Sequence, residues 1–374
     1  MKFIVSSTAL ATRISAASRV INPKSTLPIL ECFLLELDGN TLTITAADTE
    51  TVLISSVEVT ESEGNGRIAI PARTLLESLK EIPEQPLTFS INPITLQVTV
   101  DYQNGKYNLM GQNPDEYPNN TLPGADANSV EIGGPLLLSG INYTLFATAE
   151  DELRPVMNGI YFDMTENDIT FVSSDGHKLV RFNSTAAHAD GRAAFILPKK
   201  PAGLLRGLLS REEGVINITF DKRNATFTME GYSLTCRLSE GRYPNYNSVI
   251  PKQNPFQVVT DRLSLLGAFK RVSVFTSPSS SLVKLHLTDN QVMVSTQDYD
   301  FSTSAEETVS CQYDGDEMMI GFKANFVIDI LSNLPGNEVV IQLADPSRAG
   351  ILTPAEQSET EDLIMLIMPM MINE

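Results

Sequence analysis

Two short stretches of this chain, DEYPNN at 115–120 and GRYPNY at 241–246, share one pattern, and their tyrosines, Tyr117 and Tyr243, stand 126 residues apart. A recurring spacing of that length constrains the fold more than any local motif, because a repeated sequence must build a repeated unit. Other landmarks follow the same spacing. ITAADTE (44–50), FVSSDGH (171–177) and VMVSTQD (292–298) each read as a strand running into a polar loop. AIPARTLLESLKEIP (69–83), ILPKKPAGLLRGLLS (196–210) and IGFKANFVIDILSNLP (320–335) each read as a strand end, a turn and an amphipathic helix. Leu75, Leu76, Leu79 and Ile82 share one helical face, as do Phe326, Val327, Ile330, Leu331 and Leu334. Each unit also opens with a strand and a helix-like run, and the rest alternates β-branched and polar residues. The spacing therefore predicts three units, 1–120, 128–250 and 256–374. The stretches 113–128 and 243–255 carry three prolines each and suit stiff, non-helical joints.

The net charge of −19 argues against a uniform phosphate-binding surface, so the distribution decides. The six expected helical segments (7–21, 71–83, 137–152, 198–213, 261–275 and 323–334) hold 12 Lys and Arg against 9 Asp and Glu, leaving 15 basic and 37 acidic residues elsewhere. The acidity thus concentrates on strands and loops. The third segment is the exception, with Glu150, Asp151 and Glu152. Cys32, Cys236 and Cys311 are far apart and odd in number, which favours neither a disulfide framework nor a zinc site and fits a reducing cytoplasm. No stretch of about eighteen apolar residues predicts a membrane helix, and Arg13 interrupts any secretory pattern at the start. A secreted glycan-binding protein would be expected to show a signal and aromatic platforms, but the chain has no tryptophan.

SSDGHKLVRF (173–182) looks at first like a hydrolase loop. A triad would need a nucleophile and an orienting acid, and no G-x-S-x-G is present. His188 and His286 lack metal-ligand spacing. In register with the other units, Asp175-Gly176-His177 falls where the first has Asp48-Thr49-Glu50 and the third Gln297-Asp298-Tyr299. The expectation is no catalytic residue, no metal and no cofactor.

STLPIL (25–30), IPAR (70–73), LRPVMNGIYF (153–162), SSDGHKLV (173–180), EGRYPNYNSVIPK (240–252), IGFKANFVIDIL (320–331) and LIMPMM (366–371), in that order along the whole length, resemble the bacterial DNA polymerase III beta subunits, the sliding clamps. The resemblance implies an α+β fold of three clamp domains, each with two helices packed on β-sheets. It also implies a head-to-tail homodimer closing a ring of six domains around double-stranded DNA. The implied role is non-enzymatic and cytoplasmic, with no membrane partner. The ring tethers the replicative DNA polymerase, recruits other proteins through short peptides, and is opened by a clamp loader.

The same resemblance assigns residues. For DNA it points to Lys24, Arg73, Arg154, Lys199 and Lys200. For the partner-peptide groove it points to Met157, Ser174, Gly176, His177, Lys178, Leu179, Pro244, Val249, Lys323, Phe326 and Ser347. The tail adds Leu366, Ile367, Met368, Pro369, Met370 and Met371, whose flexible methionines suit varied apolar anchors. The early half of LIMLIMPMM reads as a buried strand that Pro369 ends. For the ring interface it points to Tyr107 and Leu109 against Val274 and Phe275. The family often has arginine at the positions of Lys178 and Ser248, and its tail usually ends Met-Pro-Met-Arg-Leu. Here the end is Met-Pro-Met-Met-Ile-Asn-Glu, so a different peptide preference is expected.

Overall fold

Alternation at period two and period 3.6 builds most of what the computed structural model contains; it describes residues 1–119 and 121–372. Asn120 and the last two residues of the expected tail, Asn373 and Glu374, lie outside the described residues.

In chain order the first third builds β1 (Lys2–Ser6), α1 (Ser7–Ser18), β2 (Cys32–Asp38), β3 (Thr41–Ala47), β4 (Thr51–Glu58) and β5 (Glu61–Glu63). It continues with β6 (Gly66–Pro71), α2 (Ala72–Lys80), β7 (Pro86–Ile91), β8 (Gln97–Tyr102) and β9 (Gly105–Met110). The middle builds β10 (Asn128–Gly133), α3 (Gly134–Thr144), β11 (Gly159–Met164), β12 (Ile169–Ser174), β13 (Lys178–Ser184) and β14 (Ala193–Pro198). Then come α4 (Lys199–Leu209), β15 (Val215–Phe220), β16 (Asn224–Met229) and β17 (Tyr232–Arg237). The last third builds β18 (Phe256–Asp261), α5 (Arg262–Ser273), β19 (Leu282–Thr288), β20 (Gln291–Asp298), β21 (Thr303–Gln312) and β22 (Met318–Lys323). It ends with α6 (Ala324–Asn333), β23 (Glu338–Leu343), β24 (Gly350–Pro354) and β25 (Glu361–Ile367).

The strands form sheets of five (β5-β1-β7-β8-β9), eight (β10-β15-β16-β17-β4-β3-β2-β6) and twelve (β14-β11-β12-β13-β25-β24-β23-β18-β21-β20-β19-β22). The two larger sheets each join strands of neighbouring repeats, through β4 against β17 and β13 against β25. The chain accordingly divides into two compact units, residues 1–138 with 203–238, and residues 139–202 with 239–374.

In the first unit Leu42, Ile44 and Ala46 of β3 are buried on one face, and Phe3 stacks on Phe89 at 4.8 Å between ring centroids. Helix α1 packs on α2, β3 and β4; its first turn is capped by Ser6 Oγ, which accepts from Ala9 N at 3.1 Å. In the second unit Phe162 contacts Phe171 and Phe195 at 4.8 and 4.5 Å. Helix α5 packs on α6 and is capped by Asp261, whose Oδ1 accepts from Ser264 N at 2.7 Å.

Helix α3 departs from the expected 137–152. It ends at Thr144, followed by a 3-10 turn at Leu145–Ala147. Thr144 Oγ1 donates back to Gly140 O, and Ser173 Oγ donates to Thr144 O, so the last carbonyls are taken by side chains rather than by a further turn. Glu150, Asp151 and Glu152 therefore sit on a loop. Gly140 is required where it is: a Cβ there would stand 2.7 Å from the Phe171 ring. No helix of the described residues is long and apolar enough to cross a membrane.

Candidate functional site

The SSDGH loop is the hairpin turn between β12 and β13, and its own backbone explains its residues. Asp175 Oδ1 accepts from His177 N and Lys178 N, both at 2.9 Å. Ser174 Oγ donates to Lys178 O at 2.9 Å and accepts from Gly176 N at 3.1 Å. Gly176 has φ +90°, a conformation that glycine adopts without strain. Aspartate, serine and glycine are here turn chemistry, and His177 projects from the turn to stack on Phe326 at 5.6 Å. Among the described residues no His, Cys, Asp and Glu group of metal-binding geometry occurs.

The loop walls a cavity of about 380 Å³ in the second unit. Ten of the expected groove residues line it: Met157, Ser174, Gly176, His177, Lys178, Leu179, Pro244, Val249, Leu366 and Met368. Beneath them Val172, Leu179, Ile196, Tyr243, Tyr246, Ala349 and Leu366 form one buried apolar cluster. Tyr161 and Tyr243 stack face to face at 4.7 Å, and Tyr246 donates its hydroxyl hydrogen to Asp163 Oδ2 at 3.0 Å. Burial, with the Asp163 charge and hydrogen bond behind it, pushes the Tyr246 hydroxyl up to about 12. Val249 and Met368 remain 56% and 43% exposed at the rim. A rigid aromatic floor with an adaptable apolar rim can accept apolar side chains.

One wall is charged. Lys178 is 6% exposed, with its ammonium 2.7 Å from Asp175 Oδ2, 3.8 Å from Asp329 Oδ2 and 4.5 Å over the Phe326 ring. Lys323 Nζ stands 5.1 Å from the same ring. Burial raises the Asp175 carboxyl, but the side-chain bond to Lys178, the two turn amides and the Lys178 charge outweigh it, and the carboxyl lies below its ordinary value. Burial holds Asp329 above its ordinary value, against the pull of Lys178 and with the push of Asp175.

The remaining groove residues lie elsewhere. Lys323 and Phe326 adjoin the charged wall without lining the cavity. Ile367 is fully buried opposite Lys178, because alternation along β25 sends it into the core while Met368 turns outward. Pro369 follows the end of the strand, Met370 bridges to Gly321, and Met371 is 83% exposed. Ser347 is turned to its own loop, donating from N and Oγ to Asp345 Oδ1 at 2.9 and 2.6 Å.

Arg154, expected among the DNA residues, stands at this cavity. It lines the cavity, its guanidinium would stand 3.2 Å from a Cβ on Gly176, and its Nε donates to Asp151 at 2.8 Å. Lys24 and Arg73 are exposed, Arg73 in the first turn of α2. Lys199 and Lys200 open α4, and Lys199 is ion-paired to Glu150, which holds that carboxyl below its ordinary value. With Glu150 to Glu152 off the helices, the six α-helices among the described residues carry nine Lys and Arg against Glu77 and Asp329, a sharper segregation than the sequence segments suggest. Tyr107 and Leu109 are half-buried on β9, which is an edge strand; Val274 and Phe275 are 77% and 43% exposed just past α5. The cavity residues missed from sequence are Tyr243, Asn245 and Tyr246; the repeated tyrosine at 117 and 243 was the signal that could have found the first.

Family models for the DNA polymerase III beta subunit match in series: the N-terminal domain over residues 1–122, the central domain over 131–245 and the C-terminal domain over 247–370. A beta sliding clamp of Pseudomonas putida is 28% identical, with 99% of this chain and 100% of the relative covered. One of Haemophilus influenzae is 27% identical, with 98% and 99% covered. The crystal structure of a sliding clamp from Pseudomonas aeruginosa bound to griselimycin superposes with a TM-score of 0.94 at 25% identity, covering 100% of both chains. That of a DNA polymerase sliding clamp from Bacillus subtilis gives 0.91 at 21% identity, again over 100% of both.

Proposed function

The chain belongs to the DNA polymerase III beta subunit family and functions as a DNA sliding clamp; we propose from this that two copies close head to tail into a ring, held by the residues described above. Such a ring performs no chemistry. It raises the effective concentration of a polymerase at the primer end, because a tethered enzyme rebinds before it diffuses away. An ATP-driven loader opens the ring, and the work is cytoplasmic.

The observation that carries this reading is the segregation of charge. On a chain of net charge −19, the α-helices of the described residues are basic taken together, through α1, α2, α4 and α5. Helices facing the duplex supply loose, sequence-independent phosphate contacts from Arg73, Lys199 and Lys200, with Lys24 added from the loop after α1, while the acidic remainder repels DNA. Contacts of that kind hold the ring near the axis and permit sliding.

For the ring interface, β9 offers a free edge with Tyr107 and Leu109. Among the described residues β21 pairs with β18 only at Cys311 and Gln312, and Thr260 Oγ1 donates to Ser310 O, so the stretch 303–309 has no strand partner on that side. An edge strand of one protomer against the open part of β21 of its partner would close both edges. Lys106 on β9 and Glu306 on β21 are of opposite charge. The cavity around His177 and Met368 then takes the apolar anchors of short peptides carried by the polymerase and other partners.

Small-angle scattering tests the assembly. A mass near twice 40.9 kDa with a hollow distance distribution is expected. A compact monomer at micromolar concentration refutes the ring as drawn.

A further inference from the structure

The turn at Asp48-Thr49-Glu50 repeats the aspartate and main-chain bonds of the Asp175 turn, without the Ser174 and Lys178 side-chain bonds, since Ala47 and Thr51 stand at those positions. Asp48 Oδ1 accepts from Glu50 N and Thr51 N at 2.8 and 2.7 Å, and Asp48 N donates to Thr51 O at 2.9 Å. Thr51 pairs with Cys236 as Lys178 pairs with Ile367. Arg237 N donates to Glu50 O at 2.8 Å, as Met368 N donates to His177 O at 2.9 Å. Tyr117-Pro118 stands as Tyr243-Pro244 does, and Leu30 sits in a 3-10 turn as Met157 does. These parts enclose a cavity of about 420 Å³ wholly within the first unit.

We propose that this cavity is a second peptide site with a different code: an extended partner segment bearing one apolar anchor beside an acidic side chain. The proposal rests on the reading of the first cavity as a peptide groove. The two differ where specificity would be set. Leu366 and Met368 of the first are Thr235 and Arg237 here, and the turn before β16 adds Arg223. The apolar surface that remains, Leu27 at 49% exposure with Leu30, Val52 and Pro118, is wide enough for a single anchor. Arg223 and Arg237 come from the β16–β17 side and suit a carboxylate. On the opposite lip Glu50 takes the place of His177 and repels that carboxylate, which directs it to the arginine side. Asp48 has its Oδ1 committed to its own turn. The first cavity offers a methionine and a histidine at the corresponding positions, so the two sites would select different segments.

The test is an array of short peptides, each with one leucine or phenylalanine flanked by aspartate, lysine or serine, probed with three forms of the full-length protein. The wild type is compared with V249E/M368E, which charges the rim of the first groove, and with R223E/R237E. Expected is an aspartate-flanked set that survives V249E/M368E and weakens about tenfold in R223E/R237E, as loss of a charge-assisted hydrogen bond implies, while the lysine-flanked set is gained. A folding defect would not produce that gain. R223Q/R237Q should lose the first set without gaining the second. If V249E/M368E abolishes all peptide binding, or R223E/R237E leaves the aspartate-flanked set unchanged, the second site is overturned and the first stands alone. If V249E/M368E weakens no peptide, the reading of the first groove is the one that falls.

Discussion

Replacing Asp175 with asparagine isolates one charge inside the groove wall. The amide oxygen of Asp175→Asn can still accept from His177 N and Lys178 N, so the turn keeps its shape while the carboxylate 2.7 Å from Lys178 Nζ is removed. Lys178 keeps Asp329 at 3.8 Å and the Phe326 ring at 4.5 Å. Breaking a buried pair by removing one partner costs about 3–5 kcal/mol. The Asp329 side chain is 48% exposed, and a screened pair of that kind returns no more than about 1 kcal/mol. A local loss of about 2–4 kcal/mol is therefore expected at β13. Native-state hydrogen exchange of the β13 amides measures it without assuming one global transition. Asp175→Asn with Lys178→Met should recover most of the loss, because no unpaired charge remains. A single-variant effect below about 1 kcal/mol, or no recovery in the double variant, refutes the reasoning.

The same pair sets an acid dependence: Asp175, held below its ordinary value, contributes stability present above about pH 3.8 and lost as pH falls through its lower folded value. Asp329, held above its ordinary value, has the opposite sign, so an acid titration of the wild type should show a small gain before the loss, and the loss should be smaller in Asp175→Asn by the share of this one carboxyl, since Glu150, Asp261 and Glu307 are also held low. Phe326→Ala removes the ring that His177 and Lys178 pack against, and peptide affinity measured by calorimetry should fall by about 1 kcal/mol or more. Arg73→Glu and Lys200→Glu should weaken retention on DNA evenly across sequences, with the logarithmic salt slope of binding reduced by about 0.9 for each phosphate no longer neutralised. Phe275→Asp puts a charge on the expected interface, and sedimentation should show monomers that keep the wild-type circular dichroism. Burial holds the thiols of Cys32 and Cys236 up at about 11 and 12, so iodoacetamide near neutral pH should label Cys311 first.

Much of the local structure was legible in the residues. Hydrophobic periodicity located α2, α4 and α6 within the strand–turn–helix landmarks, and the register of three loops read Asp175 and His177 as parts of a recurring loop rather than of a triad. The structure added the reason, since the Asp175 carboxylate is occupied by its own turn. Periodicity failed at α3, where the pattern runs on past Thr144 but Ser173, on another strand, takes the carbonyl that would have continued the helix. It could not separate Ile367 from Met368, two apolar neighbours of which one is core and the other rim. Nor could it place Arg154, a surface arginine by composition, over the turn glycine.

By itself the sequence determined the threefold repeat, through landmarks that recur in order, and the strand–loop and strand–turn–helix character of those landmarks, which depends on neighbours a few residues apart. Only the tertiary structure decided that adjacent repeats share sheets, through β4 against β17 and β13 against β25. Those pairings set Thr51 beside Cys236 and Lys178 beside Ile367, partners far beyond the reach of any local pattern. Both cavities lie beside such seams: the family resemblance led to the first, and only the fold disclosed the second.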